Sequence, residues 1–124
     1  MSICILAGGK LTVLAAAAFT LSWTHSVEKT RWQENWQVTP AGQLRIVEAR
    51  VEGSGAGMDP PEGSVMQDGW WVYVPAVPVQ QQIVLASSGA TGAGWSLCTQ
   101  ERCLVLGAAR GAPVTLSACD EAAH

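Results

Sequence analysis

Charge is scarce in this chain, and what there is does not cluster. Only 14% of the 124 residues are charged, against roughly 25% in an ordinary soluble domain. The seven Lys and Arg are scattered from Lys10 to Arg110, and the formal net charge is -3. Nucleic-acid binding needs a clustered basic footprint, so that class is disfavoured. Long apolar runs are missing too. The longest, TVLAAAAFTLSW, falls short of the roughly 20 residues that cross a bilayer as a helix. Lys10 is the one positive charge ahead of it and no small-x-small cleavage site closes it, so it reads as part of the fold rather than as a leader or an anchor. GK[ST] is absent, which removes a phosphate loop. Cys98 and Cys103 are separated by TQER rather than by two residues, and no second Cys or His pair accompanies them, which argues against a zinc knuckle.

What the chain does have is strand patterning between turn residues. From Phe19 the alternation is strict, with Phe19, Leu21, Trp23, His25 and Val27 on one face and Thr20, Ser22, Thr24 and Ser26 on the other. ICILA before Gly8 and Gly9, RWQENWQVT, LRIVEARVE after Pro40, Ala41 and Gly42, then GWWVYV, QIVLAS, WSLC, CLVL and VTLSA complete the series. The expectation is a single all-β domain over residues 1–119, an antiparallel β-sandwich or flattened barrel of roughly eight or nine short strands. The C-terminal tail, residues 120–124, is expected to fray. Ala15 to Ala18 is the one stretch with helical propensity, too short and uncapped to nucleate alone.

Register arithmetic singles out one polar pair. If the runs ending at Val27 and starting at Trp32 form a hairpin around Glu28, Lys29, Thr30 and Arg31, opposed residue numbers share a constant sum of 59. Val27 then faces Trp32, His25 faces Glu34, Trp23 faces Trp36 and Leu21 faces Val38. A carboxylate among indoles loses hydration and needs a partner, and an imidazolium across the ladder would supply one. Such a pair can simply satisfy itself and pin the register, or it can form the floor of a pocket that grips a ligand. A metal site using His25, Glu34 and Glu28 has too few certain ligands, so no metal and no cofactor is expected. Ser26 points away from His25 because neighbours on a strand face opposite ways. Ser54, opening the SGAG loop, is the hydroxyl left to consider as a nucleophile.

Gly53, Gly55 and Gly57 alternate with small residues, and backbone of that kind either makes a tight connection or turns N–H groups toward an anion. Trp70 and Trp71 are adjacent, so a strand through them points one indole inward and the other outward. Cys98 and Cys103 flank a hairpin turn and can bridge, leaving Cys4 for Cys119 in an oxidising compartment; four unbridged thiols in a cytoplasmic protein is the other reading.

The segments WTHSVEKTRWQENW, GSGAGMDPP, GWWVY and WSLC with RCL resemble an uncharacterised bacterial family, domain of unknown function 1850. The resemblance covers nearly the whole chain in order and marks His25, Ser26, Val27, Glu34, Gly55, Ala56 and Gly57. It implies an accessory role near a membrane transport system, because genes of the family often lie beside permeases of tripartite ATP-independent periplasmic (TAXI-type) transporters. It also implies a periplasmic or membrane-associated location, whereas the chain as written, with no recognised leader, would stay in the cytoplasm.

Together these readings lead to a small non-enzymatic binding or accessory module, not itself membrane-spanning. Its expected partner is a transporter subunit or a small organic anion. The expected site is His25, Glu34, Ser54, Gly55, Ala56 and Gly57, with a protonated His25 and the loop amides facing the anion. A hydrolase using His25 as base with Ser54 or a metal-bound water, and a purely structural protein-interaction domain, are the alternatives.

Overall fold

The structure, a computed structural model, describes residues 1–24, 30–53, 63–87, 94–108 and 111–119. These residues form eleven strands in two antiparallel sheets: β1 (Ser2–Ala7), β2 (Lys10–Leu14), β3 (Ala18–Thr24), β4 (Arg31–Val38), β5 (Leu44–Glu52), β6 (Val65–Gln67), β7 (Trp70–Tyr73), β8 (Gln82–Leu85), β9 (Trp95–Cys98), β10 (Cys103–Leu106) and β11 (Val114–Cys119). One sheet has the order β2-β1-β11-β8 and the other β10-β9-β3-β4-β5-β7-β6. The architecture is an all-β sandwich, and the sheets do not close into a barrel.

Eleven strands exceed the expected eight or nine partly because the run from Lys10 to Val27 is not one strand. Gly8 and Gly9, both at positive φ (58° and 81°), close the β1–β2 hairpin. The chain then leaves the small sheet after Leu14 and enters the large one at Ala18. Residues 15–17 make that crossing with bonds from the Ala16 N–H to the Leu14 carbonyl (2.9 Å) and from the Val38 N–H to the Ala17 carbonyl (2.8 Å). A run of methyl side chains permits so tight a passage, and here the alanines bend rather than coil.

The core lies between the sheets. From the small sheet come Ile3, Ile5, Leu14, Leu85, Val114 and Leu116; from the large one come Phe19, Leu21, Trp36, Leu44, Ile46 and Leu97. Each set obeys the period-2 rule, since residues two apart on a strand share a face. Cys4 and Cys119 are disulfide-bonded, and so are Cys98 and Cys103. The first spans 115 residues of chain and the second 5. By loop-closure entropy they restrict the unfolded chain by about 5 and about 2 kcal/mol respectively.

The two sheets differ in width. At about 4.8 Å per strand, four strands are about 19 Å wide and seven about 34 Å. The small sheet therefore cannot cover the whole inner face of the large one. Phe19 and Trp36 are 3% and 6% exposed, whereas Trp23, Trp32, Trp71, Tyr73 and Trp95 on the same inner face are only half-buried.

Candidate functional site

The β3–β4 register differs from the expected one. Phe19 stands opposite Trp36, Leu21 opposite Glu34, Trp23 opposite Trp32 and Thr24 opposite Arg31, so opposed numbers sum to 55 rather than 59. The correction has a physical reason. A slip of four residues keeps every side chain on its face, so alternation cannot distinguish the two registers. The observed one makes two aromatic pairs, Phe19–Trp36 with ring centroids 6.3 Å apart and Trp23–Trp32 with centroids 6.1 Å apart, both near-parallel. The expected register offered only Trp23 with Trp36. Such pairs contribute about 0.5–1.5 kcal/mol each beyond area burial. On the other face the slip lets the Thr20 hydroxyl donate to Asn35 Oδ1 at 2.8 Å.

Glu34 is thus opposite Leu21, and the expected cross-strand pairing with His25 does not arise from this register. His25, Ser26, Val27, Ser54, Gly55, Ala56 and Gly57 lie outside the described residues. Of the expected binding residues, Glu34 is the one whose surroundings are described.

Following the registers across the sheet assembles a site that the sequence reading missed. Leu106 faces Trp95; the β3–β9 ladder, extended by one residue, brings Trp95 to Trp23, whose ring centroids are 4.8 Å apart. Trp23 faces Trp32, Trp32 faces Val51, and Val51 faces Trp71. Four of the six tryptophans therefore share one row on the inner face, at the end of the sheet where β3 leaves and β4 enters. The neighbouring row is Leu97, Leu21, Glu34, Ala49 and Tyr73. Ala49 stands between Glu34 and Tyr73, and its methyl group leaves the longer side chains room to approach one another. A Cβ on Gly53 would sit 2.7 Å from Met66 Cε and 2.8 Å from Trp71 Nε1, so that glycine lets the Trp71 indole fold over the end of β5. A partial signal for the row was present in the sequence: Trp23 and Trp95 lie in phase with Leu21 and Leu97, which are buried, whereas Trp32 and Trp71 lie in phase with the half-buried Glu34 and Tyr73.

Glu34 accepts a hydrogen bond from Trp36 Nε1 at 3.0 Å. Burial pushes its carboxyl above the usual range, against the smaller opposing effect of that indole donor. The Tyr73 hydroxyl is held above its usual value first by burial and then by the negative charge of Glu34. Trp32 Nε1 is buried and has no hydrogen-bond partner among the described residues. A stranded donor of that kind costs about 1–3 kcal/mol. Trp95 Nε1, by contrast, donates to the Ala86 carbonyl at 3.0 Å.

The outer face of the same sheet is polar and largely self-satisfied. Thr20 donates to Asn35, Asn35 Nδ2 donates to Glu48 Oε2 at 3.1 Å, and Arg50 lies 3.5 Å from that oxygen. Arg31 Nε and Nη2 donate to Glu52 Oε2 at 3.2 and 3.1 Å, and the Arg31 N–H donates to Glu52 Oε1 at 3.2 Å. The Arg31 guanidinium also lies 5.1 Å from the Trp70 ring centroid. The two adjacent tryptophans therefore divide as strand geometry requires, Trp71 with Val51 on the inner face and Trp70 with Glu52 on the outer. A hollow of about 310 Å³ lies beside Thr20, Asn35, Gln37, Cys98 and Gln100.

Among the described residues no group of three His, Cys, Asp or Glu side chains could hold a metal ion. No helix of the described residues is long and apolar enough to cross a membrane. Fold and site together define an open two-sheet β-sandwich whose larger sheet presents an indole row and a half-buried carboxylate on its inner face. Residues 19–106 match the family described as Domain of unknown function (DUF1850), and the chain belongs to that family. The matched segment contains the seven-stranded sheet except for Ala18, together with β8; β1, β2 and β11 of the small sheet lie outside it. Comparison with curated proteins and with solved structures gave no match.

Proposed function

We propose that this chain is a small non-enzymatic binding or accessory module of a membrane transport system, and that it recognises its ligand or partner at the tryptophan end of the large sheet's inner face. The observation that carries the reading is the row of Trp23, Trp32, Trp71 and Trp95, half-buried beside Glu34 and Tyr73, where the small sheet stops covering the large one. Large rigid aromatic surfaces left partly in water, beside a few polar groups that fix orientation, are typical of recognition sites. The transport association comes from the family resemblance. Two disulfides suit a periplasmic or membrane-associated location, since oxidising compartments preserve them.

The expected organic anion was assigned to His25 and the amides of Gly55 to Gly57. Glu34 belongs to that expected site and is its one described residue, and a carboxylate does not by itself attract an anion. The hydrolase reading rests on His25 and Ser54 and gains no support from the described residues.

The test follows the indole N–H resonances of isotope-labelled protein during titration with small carboxylates, phosphate, choline, methyl glucoside and the transporter's purified soluble binding protein. At least one of these should give a saturable shift at Trp23, Trp32, Trp71 or Trp95, with less change at the sealed Trp36. Absence of any saturable shift across the whole series would overturn the proposal.

A further inference from the structure

We infer that the tryptophan end binds a small organic ammonium ion, a quaternary or protonated amine, with Glu34 as its counter-charge and the indoles of Trp23, Trp32 and Trp95 as the surface on which it rests. The inference rests on the proposed binding role of this end and adds the class of ligand.

Three observations carry it. First, Glu34 is the single charged side chain on the inner face of the large sheet among the described residues. The other charges borne by its central strands are turned outward: Arg31 with Glu52, Arg50 with Glu48, and Arg45 opposite Gln37. Second, Glu34 has no cationic partner among the described residues. Its Oε1 accepts from Trp36 Nε1, and its Oε2 receives no hydrogen bond from any described group. A carboxylate partly removed from water favours a cation that replaces the lost hydration, and it opposes the approach of an anion. Third, the neighbouring row supplies ring faces. Trp23 lies near-parallel to Trp32 and is tilted by 53° against Trp95, so the three indoles present more than one orientation of ring within a short stretch of surface. Indole faces carry the negative side of the ring quadrupole and attract alkylammonium groups, best where the cation is partly desolvated.

An ammonium ion with a bulky apolar shell matches this combination: its methyl or methylene groups would lie against indole, and its charge would face the free oxygen of the carboxylate in the next row. A carboxylate or phosphate ligand gains the aromatic contact but meets Glu34's repulsion. A neutral sugar gains stacking without the charge.

The experiment titrates the full chain, disulfides intact, with choline and with 3,3-dimethylbutan-1-ol, its neutral carbon isostere, at constant ionic strength; acetate and methyl glucoside serve as further arms. The readout is the indole N–H resonances. Choline is expected to shift Trp23, Trp32 and Trp95 saturably and to bind about tenfold or more tightly than the isostere. Glu34→Gln, which retains an oxygen to accept from Trp36, is expected to lose about tenfold in choline affinity, while Glu48→Gln on the outer face leaves it unchanged. If Glu34→Gln does not fold, the choline-to-isostere ratio on the unaltered chain decides alone. Equal binding of choline and isostere overturns the inference. Saturable binding of acetate or methyl glucoside without choline also overturns it, and leaves the recognition role of this end standing. No binding of any small probe overturns it too, and the transporter's binding protein then decides separately whether the end recognises a partner.

Discussion

The inner face of the large sheet carries two stacked aromatic pairs of almost the same geometry in different surroundings. Phe19 and Trp36 lie 6.3 Å apart at 5°, Trp23 and Trp32 6.1 Å apart at 7°. The first pair is sealed under the small sheet, and its indole N–H is satisfied by Glu34. The second lies at the open end, half-buried, and Trp32 Nε1 has no partner among the described residues. The same cross-strand pairing thus serves as core at one end and as surface at the other. The distinction comes from what lies above the rings rather than from the rings themselves.

Substitutions at the two pairs should separate these roles. The largest effect is expected at the sealed end: Phe19→Ala should destabilise by about 3–5 kcal/mol, because it removes a fully buried ring and leaves a cavity between the sheets. A denaturant midpoint no lower than that of the unaltered chain would mean the small sheet does not cover this pair. Trp36→Phe should cost about 1–3 kcal/mol, from the lost indole volume and from a carboxylate left without its donor. Trp32→Phe should cost less than Trp36→Phe, about 1 kcal/mol or below, since it removes a donor that has no partner among the described residues. Equal losses at positions 32 and 36 would erase the proposed difference between the ends.

The smallest effects are those of pH, and they should have opposite signs on the two faces. Burial raises the Glu34 carboxyl, so between the ordinary carboxylate value and its raised folded value the folded chain holds a proton that the unfolded chain has released. Its contribution to stability is therefore greatest at low pH and is lost as pH rises through that window. Glu34→Gln should flatten the fall. Glu52 is lowered by the Arg31 backbone N–H and then by the Arg31 side chain. Its contribution is present above the ordinary carboxylate value and is lost as pH falls through the lowered folded value. Glu52→Gln should remove that acid-side loss. Stability measured against pH for both variants checks the two signs, and slopes of the same sign would contradict the contrast.

The division of side chains into inner and outer sets was legible except in β5, where an irregularity of the β4–β5 ladder moves the inward positions from Leu44 and Ile46 to Ala49 and Val51. Phe19, Leu21, Trp36, Leu97 and Leu116 lie inward, and the split of Trp70 from Trp71 followed from adjacency alone. Even the change of sheet left a trace. Inward positions are even-numbered at Thr12 and Leu14 and odd-numbered at Phe19, Leu21 and Trp23, and that change of phase falls on the alanines. The β3–β4 register was not legible, because a slip of four residues preserves every face assignment. With it went the register argument for setting His25, which lies outside the described residues, against Glu34, and the view of the tryptophans as separate residues rather than one row.

Sequence alone determined which side of the regular strands meets the core, since a period of two is a local property of the backbone and needs no knowledge of neighbours; the phase change inside β5 came from its pairing with β4. Tertiary structure decided which residues stand opposite one another and which part of the inner face stays open. Those depend on interactions between segments distant in the chain: two stacked aromatic pairs across β3 and β4, and core packing that buries Phe19 and Trp36 but leaves Trp23 and Trp32 half-exposed on the same strands.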